Sequence, residues 1–183
     1  MNKLILATLL ISGTMFADCN YHANDAKVTW KAFKTFEKIG VGGVFDRSRL
    51  NAEGGSSADA LLANSTLTID TLSVNSGNAG RDATLVASFF KAQNVQAITA
   101  KVKSAKEGKA LVDITMNGMT KTIPLSYTLN DMKIVGKGFI DLNDFGMLPS
   151  LVSINKACYE LHAGKTWQDV EIGFEIPLQK NCQ

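Results

Sequence analysis

Residues 169–178 read Asp169-Val170-Glu171-Ile172-Gly173-Phe174-Glu175-Ile176-Pro177-Leu178. Val170, Ile172, Phe174, Ile176 and Leu178 occupy every second position, with Asp169, Glu171 and Glu175 between them. Successive side chains of a strand point to opposite faces, so this stretch predicts a strand with one apolar and one solvated face. The same period recurs upstream. Val28, Trp30 and Ala32 alternate with Thr29 and Lys31, and Leu67 and Ile69 with Thr66, Thr68 and Asp70. Ile98, Ala100 and Val102 come next, then Val112, Ile114 and Met116. Ile123, Leu125, Tyr127 and Leu129 repeat the pattern, as do Met132, Ile134, Ile140 and Leu142.

Glu107-Gly108, Asn117-Gly118 and Asn130-Asp131 separate consecutive runs and read as hairpin turns, which make neighbouring strands antiparallel. Gly136 and Gly138 within one run predict a bulge or a bend. Residues 81–92 break the rule: Leu85, Phe89 and Ala92 stand at helical spacing behind Asp82, predicting one short helix. A second helical piece is expected around Leu151 and Val152, and residues 54–63 read as a loop or weak helix. Roughly eight half-apolar strands must close or stack. The expectation is an all-β, eight-stranded antiparallel barrel, with a two-sheet sandwich as the competing architecture.

The first seventeen residues have the grammar of an export signal: Lys3, an apolar run from Leu4 to Ile11, and small residues up to Ala17. That run is far shorter than the roughly 18 apolar residues that span a bilayer. The expected division is a leader over 1–17 and a single barrel domain over 18–183, which implies export. Losing Lys3 leaves 18 basic against 17 acidic residues, a net charge of +1. Such a balance argues against nucleic acid as a partner, and no later segment is long and apolar enough for membrane insertion. Of Cys19, Cys158 and Cys182, an oxidising compartment can pair two. Cys19 with Cys182 is the favoured bridge, leaving Cys158 over; either pairing with Cys158 stays open.

Catalytic signatures are absent. His22 and His162 are far apart, and the chain has no Cys-x-x-Cys, no His-x-x-x-His and no Gly-x-Ser-x-Gly. Gly40-Val41-Gly42-Gly43 fails as a dinucleotide loop, because Phe45 holds the third glycine position and the residues beyond it are strand-like. No metal, no cofactor and no catalytic residue is expected. Trp30, Phe33, Phe36, Phe45, Phe89, Phe90, Phe139 and Phe145 punctuate the chain instead. They suit either an ordinary core or the apolar lining that a lipid-like ligand requires.

Ordered motifs then carry a resemblance. Val28-x-Trp30, Val41-Gly42-Gly43-Val44-Phe45, Arg81-Asp82-x-x-Leu85 leading into Phe89-Phe90, Asn117-Gly118-Met119-Thr120-Lys121 and Asp144-Phe145-Gly146-Met147 appear in sequence. The chain resembles the YceI-like proteins, lipocalin-like exported bacterial proteins that bind polyisoprenoids and similar lipids. The resemblance implies a barrel around an elongated apolar cavity, often in a homodimer. It implies a ligand site drawn from Trp30, Phe33, Phe36, Phe45, Arg81, Leu85, Phe89, Phe90, Phe139, Leu142 and Phe145. Thr84 and Leu142 stand where the family often has His and Arg, so a weakly polar head is expected in place of pyrophosphate. The expected function is a periplasmic carrier of a long-chain lipid, a polyisoprenoid, fatty acid or fatty amide. A lipid-modifying enzyme or a ligand-free interaction barrel are the alternatives.

Overall fold

The computed structural model describes residues 19–182, so the expected leader over 1–17 lies outside the described residues. Twelve strand segments succeed one another: β1 (Cys19–His22), β2 (Lys27–Lys34), β3 (Ile39–Phe45), β4 (Ser48–Asn51), β5 (Thr66–Asp70), β6 (Val74–Asn75), β7 (Ala97–Lys106), β8 (Lys109–Met116), β9 (Met119–Asn130), β10 (Lys133–Asp141), β11 (Thr166–Pro177) and β12 (Gln179–Cys182). The helices are α1 (Ala58–Ala63), α2 (Ala79–Leu85), α3 (Leu148–Ala157) and α4 (Tyr159–His162).

Ten of the strands form one antiparallel sheet, in the order β4-β5-β7-β8-β9-β10-β11-β2-β3-β6. This exceeds the eight strands expected, and the reason is a bend. Only Asp46 and Arg47 separate β3 from β4, and only a one-turn helix, Thr71–Ser73, separates β5 from β6. Asp46 N–H donates to Ser73 O and Asp70 N–H to Arg47 O, both at 3.0 Å, carrying the ladder across the bend. β3 with β4 is thus one bent strand, and β5 with β6 is its bent partner. Counted this way, eight strands close into a ring, because β3 pairs with β2 while β4 pairs with β5. Among the described residues closure leaves no long unpaired edge, and eight strands enclose just enough room for side chains or one ligand.

The hairpins obey their turn chemistry. Glu107-Gly108 and Asn117-Gly118 both have positive φ at both residues, as two-residue hairpin turns require. The β9–β10 turn lies one residue later than expected, at Asp131-Met132, with φ of 46° and 61°. Gly136 and Gly138 make no bulge. The register shifts fall between Val102 and Ser104 and between Thr166 and Val170. Gly136 serves instead to admit the Phe174 ring opposite it: a Cβ there would lie 2.2 Å from the ring's Cζ.

Residues 58–63, read as loop or weak helix, form α1, capped by Ser57, whose hydroxyl accepts from Ala60 N–H. This helix plugs the lower end of the barrel with Leu61 and Leu62, both buried. β1 and β12 form a separate two-stranded ribbon joined by the Cys19–Cys182 disulfide, while Cys158 is free and buried.

At that lower end Tyr127 donates its phenol hydrogen to Asp59 of α1 at 2.6 Å, and Glu107 N–H donates to the same carboxylate. Burial and the Asp59 carboxylate raise the phenol from its usual value near 10 to about 12. A folded-state value above the unfolded one stabilises the fold fully below pH ~10 and loses that contribution as pH rises towards ~12. Tyr127→Phe is expected to cost about 1 kcal/mol at neutral pH. It should also remove part of the alkaline loss, so urea melts at neutral and strongly alkaline pH should converge for the two proteins. An unchanged difference between them would contradict the assignment.

Candidate functional site

The inward faces of the strands are apolar by parity: Val112, Ile114 and Met116 on β8, Ile123 and Leu125 on β9, Ile134 and Ile140 on β10. Large rings enter this space where the neighbouring strand supplies glycine. Trp30 on β2 stands opposite Gly43 on β3. A Cβ at Gly43 would lie 2.3 Å from Asn75 O and 2.8 Å from Trp30 Cζ2. The Val41-Gly42-Gly43-Val44-Phe45 motif is therefore a seat for an indole ring, fixed further by Trp30 Nε1–H donating to Val44 O at 3.3 Å.

Above the barrel, Asn78 caps α2 by accepting from Arg81 N–H. The Arg81 guanidinium turns back to donate to Ser76 Oγ and Ser76 O, and Asp82 accepts from Ser76 N–H at 2.9 Å. The Arg-Asp pair thus clamps the chain entering the helix. α2 then passes into a π-helical turn at Val86–Phe90, in which Lys91 N–H reaches Val86 O. π-turns often mark functional positions. Here the turn brings Phe89 and Phe90 both inward, edge to face at 5.1 Å, with Phe90 against Phe45 at 6.1 Å. The expected helix over 81–92 is present, as the middle of a longer helical segment running to Gln93. Its end is locked to α3, because the Gln93 side chain accepts from Ser150 N–H and Ser150 Oγ and donates to Gly146 O.

Between these parts runs a passage with three chambers. A mouth of about 500 Å³ lies between α2, α3, α4 and β2, lined by Phe33, Lys34, Arg81, Thr84, Cys158 and Leu161 among others. It shares Trp30, Ala32, Leu85, Ile154 and Thr166 with a middle chamber of about 120 Å³. That chamber shares Trp30, Phe45, Ile98, Met116, Ile140 and Ile172 with an inner one of about 90 Å³ that ends against Val112, Leu125 and Phe174. Apart from the threonines Thr29 and Thr166, every side chain on the two inner chambers is apolar. Polar groups collect at the mouth. There burial raises the Cys158 thiol above its usual value, partly offset by the Lys34 ammonium.

The sequence-derived site residues divide into three groups. Trp30, Phe45, Leu85, Phe89, Phe90 and Leu142 line the middle chamber, and Phe33 and Arg81 line the mouth. Phe36, Phe139 and Phe145 do not line the passage. Phe36 sits in the β2–β3 turn with 72% of its surface exposed. Phe139 has the outward parity of Val135 and Lys137 on β10 and is 61% exposed, lining a separate groove on the outer wall. Phe145 is fully buried in the one-turn helix Leu142–Phe145, as packing. Ile98, Ile140 and Ile172 also line the middle chamber, as their strand parity implies, together with Ile154 and Trp167, which no period identifies.

Among the described residues no group of three or more His, Cys, Asp or Glu side chains is placed to hold a metal ion, and no helix is long and apolar enough to cross a membrane. A family model for the YceI-like domain matches residues 20–178. The chain belongs to the YceI-like family. Its fold is similar to two solved structures at low identity. One is a polyisoprenoid-binding domain from Saccharophagus degradans implicated in plant cell wall breakdown, with a TM-score of 0.61 and 16% identity, covering 90% of this chain and 99% of that one. The other is BcnA of Burkholderia cenocepacia, with a TM-score of 0.56 and 16% identity, covering 85% of this chain and 99% of that one. No curated sequence matches the chain significantly.

The seat beneath Trp30 gives a direct test of what shapes this YceI-like interior. Gly43→Ala places a methyl group against backbone, which cannot yield cheaply. It is expected to lower stability by about 1–3 kcal/mol and to shift the tryptophan emission. Phe139→Ser, on the outer wall, should change neither by a comparable amount. Equal urea midpoints and spectra for Gly43→Ala and the parent protein would contradict the seat.

Proposed function

We propose that this YceI-like protein binds a long-chain apolar molecule of the polyisoprenoid type, its tail inside the barrel and its head at the mouth, and that it carries this ligand in the periplasm after export. The observation that carries the proposal is the continuity of the passage: chambers lined by apolar side chains share walls from the mouth to Phe174. A dry apolar cavity favours hydrocarbon over water. The Saccharophagus degradans relative, named for polyisoprenoid binding, adds weight to the chemical class.

The inner chambers are small. A dry engineered cavity of about 150 Å³ takes a single benzene ring, and the middle chamber here is of that order at about 120 Å³. A long tail therefore enters by displacing side chains that the two inner chambers share, Phe45, Ile98 and Met116 first among them. Apolar side chains change rotamer without breaking hydrogen bonds, which makes this the cheap route.

The mouth favours a weakly polar head. Arg81 directs two of its five guanidinium N–H donors to Ser76, and the Thr84 hydroxyl donates to Gly80 O at 2.9 Å. Catalysis would require convergent polar groups around the tail, and the inner chambers hold only two threonine hydroxyls. That distribution supports binding over turnover.

Titration with a prenyl alcohol, read by tryptophan fluorescence, should saturate at one molecule per chain and raise the thermal midpoint. Ala32→Trp, which fills the neck between mouth and middle chamber, should weaken binding about tenfold or more. Phe139→Ala should leave it unchanged. Equal affinity for the parent protein and Ala32→Trp would overturn the proposal.

A further inference from the structure

We propose that the passage has a lateral outlet between β9 and β10, through which the far end of a tail too long for the inner chambers reaches the groove on the outer wall; this rests on the binding reading above. The ladder between these two strands ends at Lys137 opposite Ser126. Both strands run on, β10 forward to Asp141 and β9 back to Met119, and each stays paired on its other side, with β11 and β8. The next partner in register for Phe139 is Pro124, which has no N–H to donate. Beyond the opening the chain on either side is joined again. The Asn117 side-chain amide donates to Phe145 O at 3.1 Å, and Lys121 pairs with Asp144 at 3.6 Å. The seam therefore lacks its ladder along residues 138–141, about 13 Å of strand.

Leu125 stands at this seam and borders both the inner chamber and the outer groove. Its Cδ2 lies over Gly138, where an added Cβ would come within 2.3 Å of it. Glycine at 138 thus leaves room for Leu125 to lie across the seam. The cover is the far end of a flexible side chain, which a rotamer change moves aside. The groove beyond it, of about 710 Å³, is walled by Leu111, Pro124 and Phe139 and by Lys109 and Lys137, whose stems are apolar. Leu111 is 46% exposed and Phe139 more so, which leaves apolar surface in water beside the seam for a hydrocarbon to cover. Size names the occupant. The two inner chambers measure only about 120 and 90 Å³, so a polyisoprenoid tail overfills them. In a blind passage each further isoprene unit displaces more of a packed core, at rising cost. An outlet lets the added units leave. The groove takes the overflow and is not the source of affinity, so Phe139→Ala stays neutral.

The test uses the purified protein and two prenyl alcohols, one of geraniol length and one of solanesol length, each with a photoreactive diazirine at the end remote from the hydroxyl. Peptide mass spectrometry locates the label. The short probe should label the inner chamber, at residues such as Val112 or Phe174. The long probe should label the outer wall, at Leu111, Lys137 or Phe139, and bind no more weakly than the short one. Excess unlabelled geraniol, which fills the inner chambers, should suppress that outer-wall label. Leu125→Trp, which blocks the seam, should weaken binding of the long probe about tenfold and move its label to the mouth, at Phe33 or Leu161. In the parent protein, a long probe whose label falls in the inner chambers or at the mouth overturns the outlet and leaves the binding reading standing. Outer-wall label that persists under geraniol, or in a folded Leu125→Trp protein, is adsorption from outside and also overturns it. Binding of neither probe removes the binding reading and the outlet with it.

Discussion

The Trp30 indole lies against Gly43 on the next strand, and the Phe174 ring lies against Gly136 in the same manner. Everything inside the barrel depends on these two contacts. An eight-stranded ring has an interior that ordinary inward side chains fill. Where the facing residue is glycine, a ring takes the space a second side chain would have used, and becomes a wall of the passage. The bend at Asp46-Arg47 serves the same interior from outside, because it closes the sheet and leaves Phe45 aimed at the Phe90 ring.

Closure below and partial closure above give the passage its direction. Leu61 and Leu62 of α1 fill the lower end, fastened by the Tyr127–Asp59 hydrogen bond. At the upper end the Gln93–Ser150–Gly146 bonds hold α3 against the helix that carries Phe89 and Phe90. The mouth opens beside this lock, along β2. Hydrogen bonds thus fasten the frame while apolar contacts fill the interior, so side chains inside can rearrange while the frame stays whole. Frame rigidity and interior adaptability are separated by chemistry.

Much of the frame was legible because strand period is a local property. The alternation in β11 and in β7 to β10, the glycine turns and the helix around Phe89 could each be read from a few residues. The bends that split two strands into four segments could not, because they arise from pairing between residues far apart in sequence. For the site, residue type misled where parity was set aside. Phe139 has a ring that suits a lipid site, yet its odd position on β10 points it outward, whereas Ile98, Ile140 and Ile172 carry the inward parity. Phe36 lies in a turn and Phe145 in a one-turn helix, where no strand period shows direction. The π-turn that brings both Phe89 and Phe90 inward has no sequence signature at this length.

The central claim is that the passage from the mouth to Phe174 receives a hydrocarbon tail. A crystal structure of the protein grown with a long prenyl alcohol tests it most directly. The account predicts continuous density past Trp30, Phe45 and Ile172, with side chains between the chambers turned aside and the helical lock at Gln93 and Ser150 intact. Empty inner chambers, with ligand density only in the outer groove beside Phe139 or none at all, would contradict it.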